Sequence, residues 1–477
     1  MISVLLILIP LITALVAFAM PASGSVKNWA ILSALATLVV AVLAAVTTSA
    51  NLLQVNVAWL PVLGTQFSLQ MDGMSKMLCL LTGISFPLIF IAIHKQETPA
   101  APAFYGWMLL SQAGLMGVFL AADALLFYIF WELALIPVYF LCSLWGGEKR
   151  IAVTFKFFIY TFLGSLFMLT GIIYLSYHVP GGSFAIAALT KAALSESQRN
   201  GLFWLFFIAF AIKMPLFPLH TWQPDAYEEA PTAVTMVMSG IMVKMGLFAV
   251  VRWLLPIFPA AAVQFSSVII ALAVTGMLYA SFIAMQQNNL KRLIAYSSIA
   301  HIGLMCAALF TAQPGAYQGV MIQMFCHGIN VIGLWIIADA VEKKLGTREL
   351  SEMGGLAQKA PVLAILLVVM GLANVALPLT NSFIGEFMMF NGLFQYNMVW
   401  AAVAGISIIL AAVYTLRMIQ QILYGPTNAI TENATDLSAT TRWALLVGVI
   451  LIIVGGVFPQ PLIDLTKDTV QALSIKP

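Results

Sequence analysis

The sequence predicts an all-α polytopic membrane protein with 14 transmembrane helices, and three observations lead to this fold class. Hydrophobic residues make up 62% of the 477 residues, and only 8% are charged, whereas a soluble domain carries about 25%. Apolar runs of about 20 residues, enough to cross the hydrocarbon core, recur along the chain. Basic residues collect in alternate loops. With a net charge of only +3, this composition excludes soluble enzymes, disordered chains and nucleic-acid-binding proteins.

The apolar runs are numbered as spans in chain order. The first lacks the basic region of a secretory signal peptide, so we interpret it as a span. Spans 1–3 form an N-terminal segment (1–100), spans 4–8 and 9–13 form two five-helix units (101–255 and 263–425), and the last span and a tail follow (426–477). The predicted spans lie near residues 2–20, 28–49, 73–94, 101–121, 123–145, 152–178, 201–219, 231–255, 263–285, 293–311, 317–340, 361–396, 399–425 and 441–459.

The distribution of lysine and arginine predicts the orientation, because cytoplasmic loops are enriched in these residues. Loops that follow odd-numbered spans hold eleven basic residues, the opposite side holds five, and five more lie within spans. Both termini are therefore predicted to lie outside. In the segment 51–72 on that side, apolar and polar residues alternate, which predicts a small hairpin. The five basic residues of the outer side are Lys191, Arg199, Arg252, Lys467 and Lys476.

Two spans are predicted to be interrupted at membrane depth. Pro215 and Pro218 lie in span 7 and deprive the carbonyls of Ala211 and Met214 of their helical partners, and Pro378 interrupts the long span 12. Two such breaks in corresponding halves are typical of transporters built from inverted repeats. Spans 4–8 and 9–13 would be those repeats. Proline-kinked packing helices are the alternative interpretation.

Six ionisable residues are predicted to lie inside spans, where a charge costs on the order of 3 kcal/mol and is a candidate for function. From the rise per residue, His301 is expected nearer the cytoplasm and Glu386 nearer the outside. The six are Glu132 in span 5, Lys213 in span 7, Lys244 in span 8, His301 in span 10, His327 in span 11 and Glu386 in span 12.

Small and polar neighbours at helical spacing favour a hydrated environment. Ser297, Gln323 and Asn330 lie three or four residues from the two histidines, and Gly240, four residues before Lys244, is expected to leave room for water.

These residue types suit proton transfer. Burial weakens the hold of a lysine on its proton, and a nearby carboxylate restores it. A Glu132–Lys213 pair whose separation or hydration changes would thus load and release a proton, and histidines suit relay positions. The alternative, hydrogen-bonded packing residues, requires a neutralising partner for every buried charge.

Four segments resemble the antiporter-like membrane subunits of respiratory complex I, the proton-pumping NADH–quinone oxidoreductase. The resemblance covers nearly the whole chain and is strongest for the M-type subunits, the counterparts of mitochondrial subunit 4. Glu386 stands where subunits L and N and the Mrp antiporter subunits usually have lysine, and no long lateral helix is expected after span 14. The segments are FWELALIPVYFLCSLWGGEKR, AIKMPLFPLHTWQPDAYEEAPTAVTMVMSGIMVKMGLF, LKRLIAYSSIAHIGLM and NSFIGEF.

The resemblance implies a proton-translocating subunit that is driven by redox chemistry elsewhere in the complex and has no redox centre, metal or cofactor of its own. It implies that Glu132 modulates Lys213 and that Lys244 passes protons onward. The two histidines would form a hydrated central axis, and Glu386 would end the pathway. Implied partners are subunits L and N, small membrane subunits and membrane lipid, with no nucleic acid, in a bacterial cytoplasmic (inner) membrane.

One position departs from the family pattern. Tyr227 stands where the family commonly has histidine in the motif that follows span 7. A protonatable role at that position is therefore in doubt. The remaining polar residues of the loop are His220, Asp225, Glu228 and Glu229.

Two other functions stay open at this point. The first is an Mrp-type cation/proton antiporter subunit, or a subunit of a related hydrogenase or cyanobacterial-type complex. The second is a haem protein in which His301 and His327 ligate a b-type haem, although their predicted depths differ by about one to two turns. The four cysteines lie in apolar runs without metal-ligand spacing, so neither a disulfide framework nor a metal site is predicted.

Overall fold

The computed structural model describes residues 2–21 and 24–474, the last without its side chain, and it is built almost entirely of helices. Lys476, which the orientation count includes, lies outside the described residues, as do the outer ends of the predicted segments 1–100 and 426–477. Among the described residues, twelve helices are long and apolar enough to cross a membrane, by length and composition. Two interrupted helices accompany them, so the predicted total of 14 spans remains a prediction.

We number the long helices α1 to α15 and give the interrupted ones two halves. The uninterrupted helices are α1 (Ile2–Ala19), α2 (Ser25–Val46), α3 (Gly73–Ile93), α4 (Ala101–Leu120), α5 (Ala124–Trp145), α6 (Arg150–Tyr177), α8 (Thr232–Ile257), α9 (Pro259–Gln286), α10 (Leu290–Leu309), α11 (Pro314–Leu345), α13 (Met398–Leu423), α14 (Ala439–Val457) and α15 (Gln460–Ser474). The interrupted helices are α7a (Glu196–Lys213) with α7b (Gln223–Glu229), and α12a (Pro361–Asn374) with α12b (Asn381–Tyr396).

The predicted hairpin is confirmed between α2 and α3. Strands β1 (Val55–Leu60) and β2 (Thr65–Leu69) pair antiparallel, and Gly64 adopts a φ of 72°, a left-handed turn conformation that glycine tolerates without strain. The carboxylate of Asp123 accepts a hydrogen bond from the Thr65 hydroxyl at 2.8 Å, which anchors the hairpin to the start of α5. Single-turn helices lie at Ala50–Leu53, Ile186–Leu189 and Leu356–Lys359, and 3₁₀ turns at Pro61–Leu63, Pro180–Gly182 and Leu350–Glu352.

Several helices begin where the sequence supplies a side-chain cap. An Asp, Asn or Ser oxygen accepts a hydrogen bond from a free amide of the first turn. Ser195 and Gln198 form a reciprocal capping box at the start of α7a. The single caps are Asp72, Asp123, Asn289, Asn397 and Ser438.

The interruptions of α7 and α12 are confirmed at the predicted prolines. Pro215 and Pro218 lie between the halves of α7, and Pro378 lies between the halves of α12. The predicted limits of span 7 were wrong by several residues, because the capping box starts α7a at Glu196 and the proline segment stops it at Lys213.

Helices α8 and α11 form the centre of the bundle and are buried along their whole span windows. Helix α11 packs against α3, α10, α12a, α12b, α14 and α15. Helices at the periphery expose large apolar side chains instead, including Leu15 on α1, Leu32 on α2 and Ile409 on α13. The outer surface of the bundle is therefore apolar, as expected for a surface that contacts lipid.

The two five-helix units share a packing pattern. In each unit the first helix packs against the second, the second against the third, and the third against the interrupted fourth. The unit boundaries at 101–255 and 263–425 nevertheless remain predictions, because packing alone does not define them.

Candidate functional site

The break in α7 places Lys213 at the last helical position before the turn. The carbonyl of Ala211 accepts from the amide of Leu216 at 2.8 Å, and the carbonyl of Ile212 accepts from the indole of Trp222 at 3.0 Å. The carbonyls that α7a can no longer satisfy thus find partners in the turn itself, which holds Lys213 in a fixed position.

Lys213 is buried beside Trp131, the neighbour of Glu132 on α5, and no hydrogen bond joins Lys213 to Glu132. The Nζ atom lies 5.4 Å from the ring centre of Trp131, the residue next to Glu132 on α5, which is a cation–π geometry. Within the described part of the chain, neither Nζ nor the Glu132 Oε1 atom has a hydrogen-bond partner. Their charges still interact. Two buried polar atoms without protein partners are positions for ordered water.

Lys244 lies at the centre of the bundle and is fully buried. Helix α8 forms a π-helical turn at Met238–Met242, in which the amide of Val243 bonds to the carbonyl of Met238, five residues back, instead of to that of Ser239. The free Ser239 carbonyl accepts from Lys244 Nζ at 2.7 Å. The π turn therefore provides a backbone acceptor for this buried cation.

Lys244 also contacts His327 on α11. Its Nζ atom lies 2.8 Å from the Nδ1 atom of His327. An ammonium can only donate, so a charged Lys244 requires an unprotonated Nδ1, whereas a neutral amine could accept from a protonated one. The contact is short enough for a proton to pass directly between the two side chains.

His301 and Glu386 are also in contact, although the rise per residue placed His301 nearer the cytoplasm and Glu386 nearer the outside. His301 Nδ1 is 3.1 Å from Glu386 Oε1, and that oxygen accepts from the Gln323 amide at 3.2 Å. The rings of His301 and His327 are 5.4 Å apart. Depth counted along each sequence ignored the tilt and the offset between α10 and α12b.

The same geometry bears on the haem hypothesis. Both Nδ1 atoms have protein partners, Glu386 and Lys244. The ring separation of 5.4 Å is a contact distance for tilted rings and leaves no space for a porphyrin between them. The arrangement therefore does not fit a haem between His301 and His327.

The break in α12 is secured from α11. Asn330 donates to the carbonyl of Ala373, at the end of α12a, at 3.2 Å, and to the hydroxyl of Ser382, at the start of α12b, at 2.8 Å. A second pair of bonds was missed by the sequence analysis: Asn374 and Tyr414 both donate to Ser297, at 3.0 Å each. The sequence indicates these bonds only by placing polar side chains within apolar runs.

The expectation that Gly240 leaves room for water was wrong. A Cβ atom at Gly240 would lie 2.6 Å from the Ile332 side chain, and one at Gly328 would lie 2.9 Å from the Gly240 carbonyl oxygen. The two glycines let α8 and α11 approach closely, one turn from the Lys244–His327 contact. Their function is close packing instead of hydration.

Two further predicted residues lie apart from the row that Lys244, His327, His301 and Glu386 form across the bundle. His220 is buried against the rings of Phe217 and Tyr279, and its Nδ1 atom has no partner in the described residues. Asp225 forms ion pairs with Lys156 at 2.8 Å and Arg292 at 3.0 Å, where α6, α7b and α10 meet. Asp225 therefore joins three helix ends and does not extend the central row.

The structure thus brings four of the six predicted residues into one row and leaves two beside it. Lys244, His327, His301 and Glu386 follow one another across the bundle. In the described part of the chain, Lys213 Nζ has no hydrogen bond to Lys244 or to any other residue. The Nε2 atoms of both histidines are buried and unpartnered there. Two direct contacts, Lys244–His327 and His301–Glu386, therefore lie in the second half of the path, and the steps between the two histidines and between Lys213 and Lys244 require water.

Known proteins resemble the chain in sequence and in fold. A family model described as NADH:quinone oxidoreductase/Mrp antiporter, transmembrane, matches residues 121–411. The NADH-quinone oxidoreductase subunit M of Escherichia coli is 34% identical over 426 residues, which cover 87% of this chain and 84% of that protein. The F(420)H(2) dehydrogenase subunit M of Methanosarcina mazei is 34% identical over 482 residues and covers 98% of this chain and 97% of that protein. A chain of respiratory complex I from Thermus thermophilus matches with a TM-score of 0.91 at 28% identity, covering 99% of this chain and 100% of that one.

Proposed function

Because the chain belongs to the NADH:quinone oxidoreductase/Mrp antiporter membrane family, we propose that it is an M-type antiporter-like subunit of an NADH–quinone oxidoreductase (complex I). It moves protons across the membrane, and the redox chemistry that drives this transport takes place in other subunits. Its partners are the neighbouring antiporter-like subunits and small membrane subunits of that complex.

The row of contacts from Lys244 to Glu386 carries this proposal. The row is buried, lies between the central helices and contains a 2.8 Å contact and a 3.1 Å contact between groups that can exchange a proton. The rings of His301 and His327 are in contact, and their buried Nε2 atoms have no partner among the described residues, which makes them positions for a water that carries the proton from one ring to the other. A proton that reaches Lys244 can therefore be handed to Glu386.

Lys213 and Glu132 serve as the switch at the other end. Their charges interact without a hydrogen bond, so a small movement of α5 or α7a, or the entry of water, changes how firmly Lys213 holds its proton. Movement of these helices in response to a neighbouring subunit would load or discharge Lys213, and water would carry the proton to Lys244.

The test measures proton pumping by the assembled complex in inverted membrane vesicles, with dye quenching for the gradient and NADH oxidation for turnover. Lys213→Met and Glu132→Gln are expected to abolish most of the pumping, because each removes one charge of the switch. The matched controls are Lys95→Met and Glu196→Gln, two exposed residues outside the row, which should pump normally. Full pumping by either test variant would overturn the proposal.

A second candidate is an Mrp-type antiporter subunit, since the family description includes those proteins. Glu386 supports the M-type assignment, because the resemblance implies lysine at this position in Mrp subunits. Purification from native membranes separates the two: co-purification with NADH-oxidising and quinone-reducing subunits supports complex I, and co-purification with antiporter subunits alone supports Mrp.

We also propose that the chain lies in a bacterial cytoplasmic (inner) membrane with both termini outside, as the basic residues predict. Fusion of reporters to the C-terminus tests this. Alkaline phosphatase should be active there and green fluorescent protein dark. The opposite result would reverse the orientation.

A further inference from the structure

A cavity of about 720 Å³ lies on the side of the bundle where α8 ends and α9 begins, opposite the ion pairs of Asp225. The end of α10, the start of α11 and the end of α12b also border it, and helix α15 forms one of its sides. The cavity therefore sits at the seam between the two five-helix units, at the level where the spans meet the membrane surface.

The walls of the cavity are largely apolar. Val251, Leu255 and Val263 line one side, and Phe310 and Leu473 line another. Val263 is 66% exposed on the lipid-facing side of α9, so the cavity opens toward the membrane as well as toward solvent. An apolar chain could enter from the bilayer without crossing water.

Two cations border the cavity and only one carboxylate accompanies them. The guanidinium of Arg252 uses a single nitrogen, Nη2, to bond Asp72 at 2.6 Å and Ser75 at 3.1 Å. Its other nitrogens have no hydrogen-bond partner in the described residues, and its face lies over the Phe248 ring, 5.3 Å from the ring centre. Lys191 is exposed, and its ammonium has no partner in that part of the chain either. The cavity thus carries one uncompensated positive charge and spare charged donors.

We propose that this cavity binds an anionic phospholipid from the adjacent leaflet, with its phosphate between Lys191 and Arg252 and an acyl chain against the apolar walls. The volume lies within the range of about 300–1,000 Å³ that is usual for small-molecule sites. Basic residues at a membrane surface attract anionic lipids. The bound lipid joins α15 to the seam between the two units. This site is separate from the proton row.

The experiment uses the intact complex, reconstituted with phosphatidylglycerol that carries a photoreactive acyl chain, and phosphatidylcholine with the same chain as the comparison. After irradiation, labelled peptides are identified by mass spectrometry. Phosphatidylglycerol should label residues 255–263 and 309–312 severalfold more than phosphatidylcholine does. Lys191→Gln should lower this labelling about fivefold, the factor for one basic contact of about 1 kcal/mol.

Two variants complete the design. Ala262→Trp fills the cavity and should abolish the labelling in complexes that assemble normally. Lys467→Gln removes an exposed charge from α15 outside the cavity and should change nothing. Equal labelling by both lipids, unlabelled cavity peptides, or an equal loss in Lys467→Gln and Lys191→Gln would overturn the proposal. Because Lys191 is exposed, its variant remains informative even if Ala262→Trp fails to assemble. Proton pumping is measured separately, so this outcome is independent of the proposed function.

Discussion

Substitution of Gly328 by alanine should disturb the Lys244–His327 contact without touching either side chain. Gly328 follows His327 on α11 and faces the backbone of α8. A Cβ atom there would lie 2.9 Å from the Gly240 carbonyl oxygen and 2.7 Å from the Leu81 side chain. Leu81 can rotate, whereas the carbonyl can retreat only if α8 moves.

The size of the effect follows from these distances. To reach an ordinary contact of 3.4 Å, α8 and α11 must separate by about 0.5 Å at this point. The Lys244–His327 distance of 2.8 Å would lengthen to about 3.3 Å, beyond the usual range of a strong hydrogen bond. Such a bond contributes about 0.5–1.5 kcal/mol, which corresponds to about two- to tenfold in rate. Overpacking adds a stability cost of about 1–3 kcal/mol.

The assay is the initial rate of proton pumping by assembled complex, normalised to the amount of this subunit in the vesicles. Gly405→Ala on α13 is the matched control, because a Cβ atom there meets nothing within 4 Å. The control should pump at the wild-type rate, and Gly328→Ala about two- to tenfold more slowly. If Gly328→Ala assembles normally and pumps at the wild-type rate, the Lys244–His327 contact does not carry protons.

Three other predictions concern stability. Asn330→Ala removes both bonds that join the halves of α12, and unfolding of the purified complex monitored by fluorescence should show a lower melting temperature, for a loss of about 1–3 kcal/mol. Trp222→Phe removes the indole bond to Ile212 at the α7 break, and the same measurement should show a smaller loss of about 0.5–1.5 kcal/mol. Burial raises the pKa of Asp72, but the charge of Arg252 and the hydrogen bonds outweigh it and lower that pKa below 3.8. The stabilisation from this pair is therefore complete above that value and is lost as pH falls through the folded-state pKa, so the melting temperatures of wild type and Asp72→Asn should converge only in strong acid. A constant difference at every pH would contradict this assignment.

Much of the fold could be predicted because its determinants are local. Apolar runs of about 20 residues set the helices, and prolines set the interruptions at residues 215, 218 and 378. The alternation of apolar and polar residues along 51–72 predicted the hairpin. The boundaries of α7 were harder, since the capping residue Ser195 lies in a polar segment that hydropathy alone assigns to a loop.

The candidate site could be predicted only as a set of residues. Charges inside apolar runs identified Lys213, Lys244 and Glu386, because such charges are costly unless they have a function. The sequence did not reveal which of them touch. The rise per residue placed Glu386 nearer the outside and His301 nearer the cytoplasm but could not show that they are in contact, and the structure places their side chains 3.1 Å apart.

The sequence by itself determined that this is a helical membrane protein with two interrupted helices and a few buried charges, since composition, periodicity and proline act along the chain. Only the tertiary structure decided that Lys244, His327, His301 and Glu386 follow one another in contact while no hydrogen bond joins Lys213 to Glu132. The physical reason is that tilt, offset and close approach between helices depend on how side chains of distant segments pack. A glycine such as Gly240 illustrates this, because its small size admits the Ile332 side chain of α11, where the sequence alone suggested space for water.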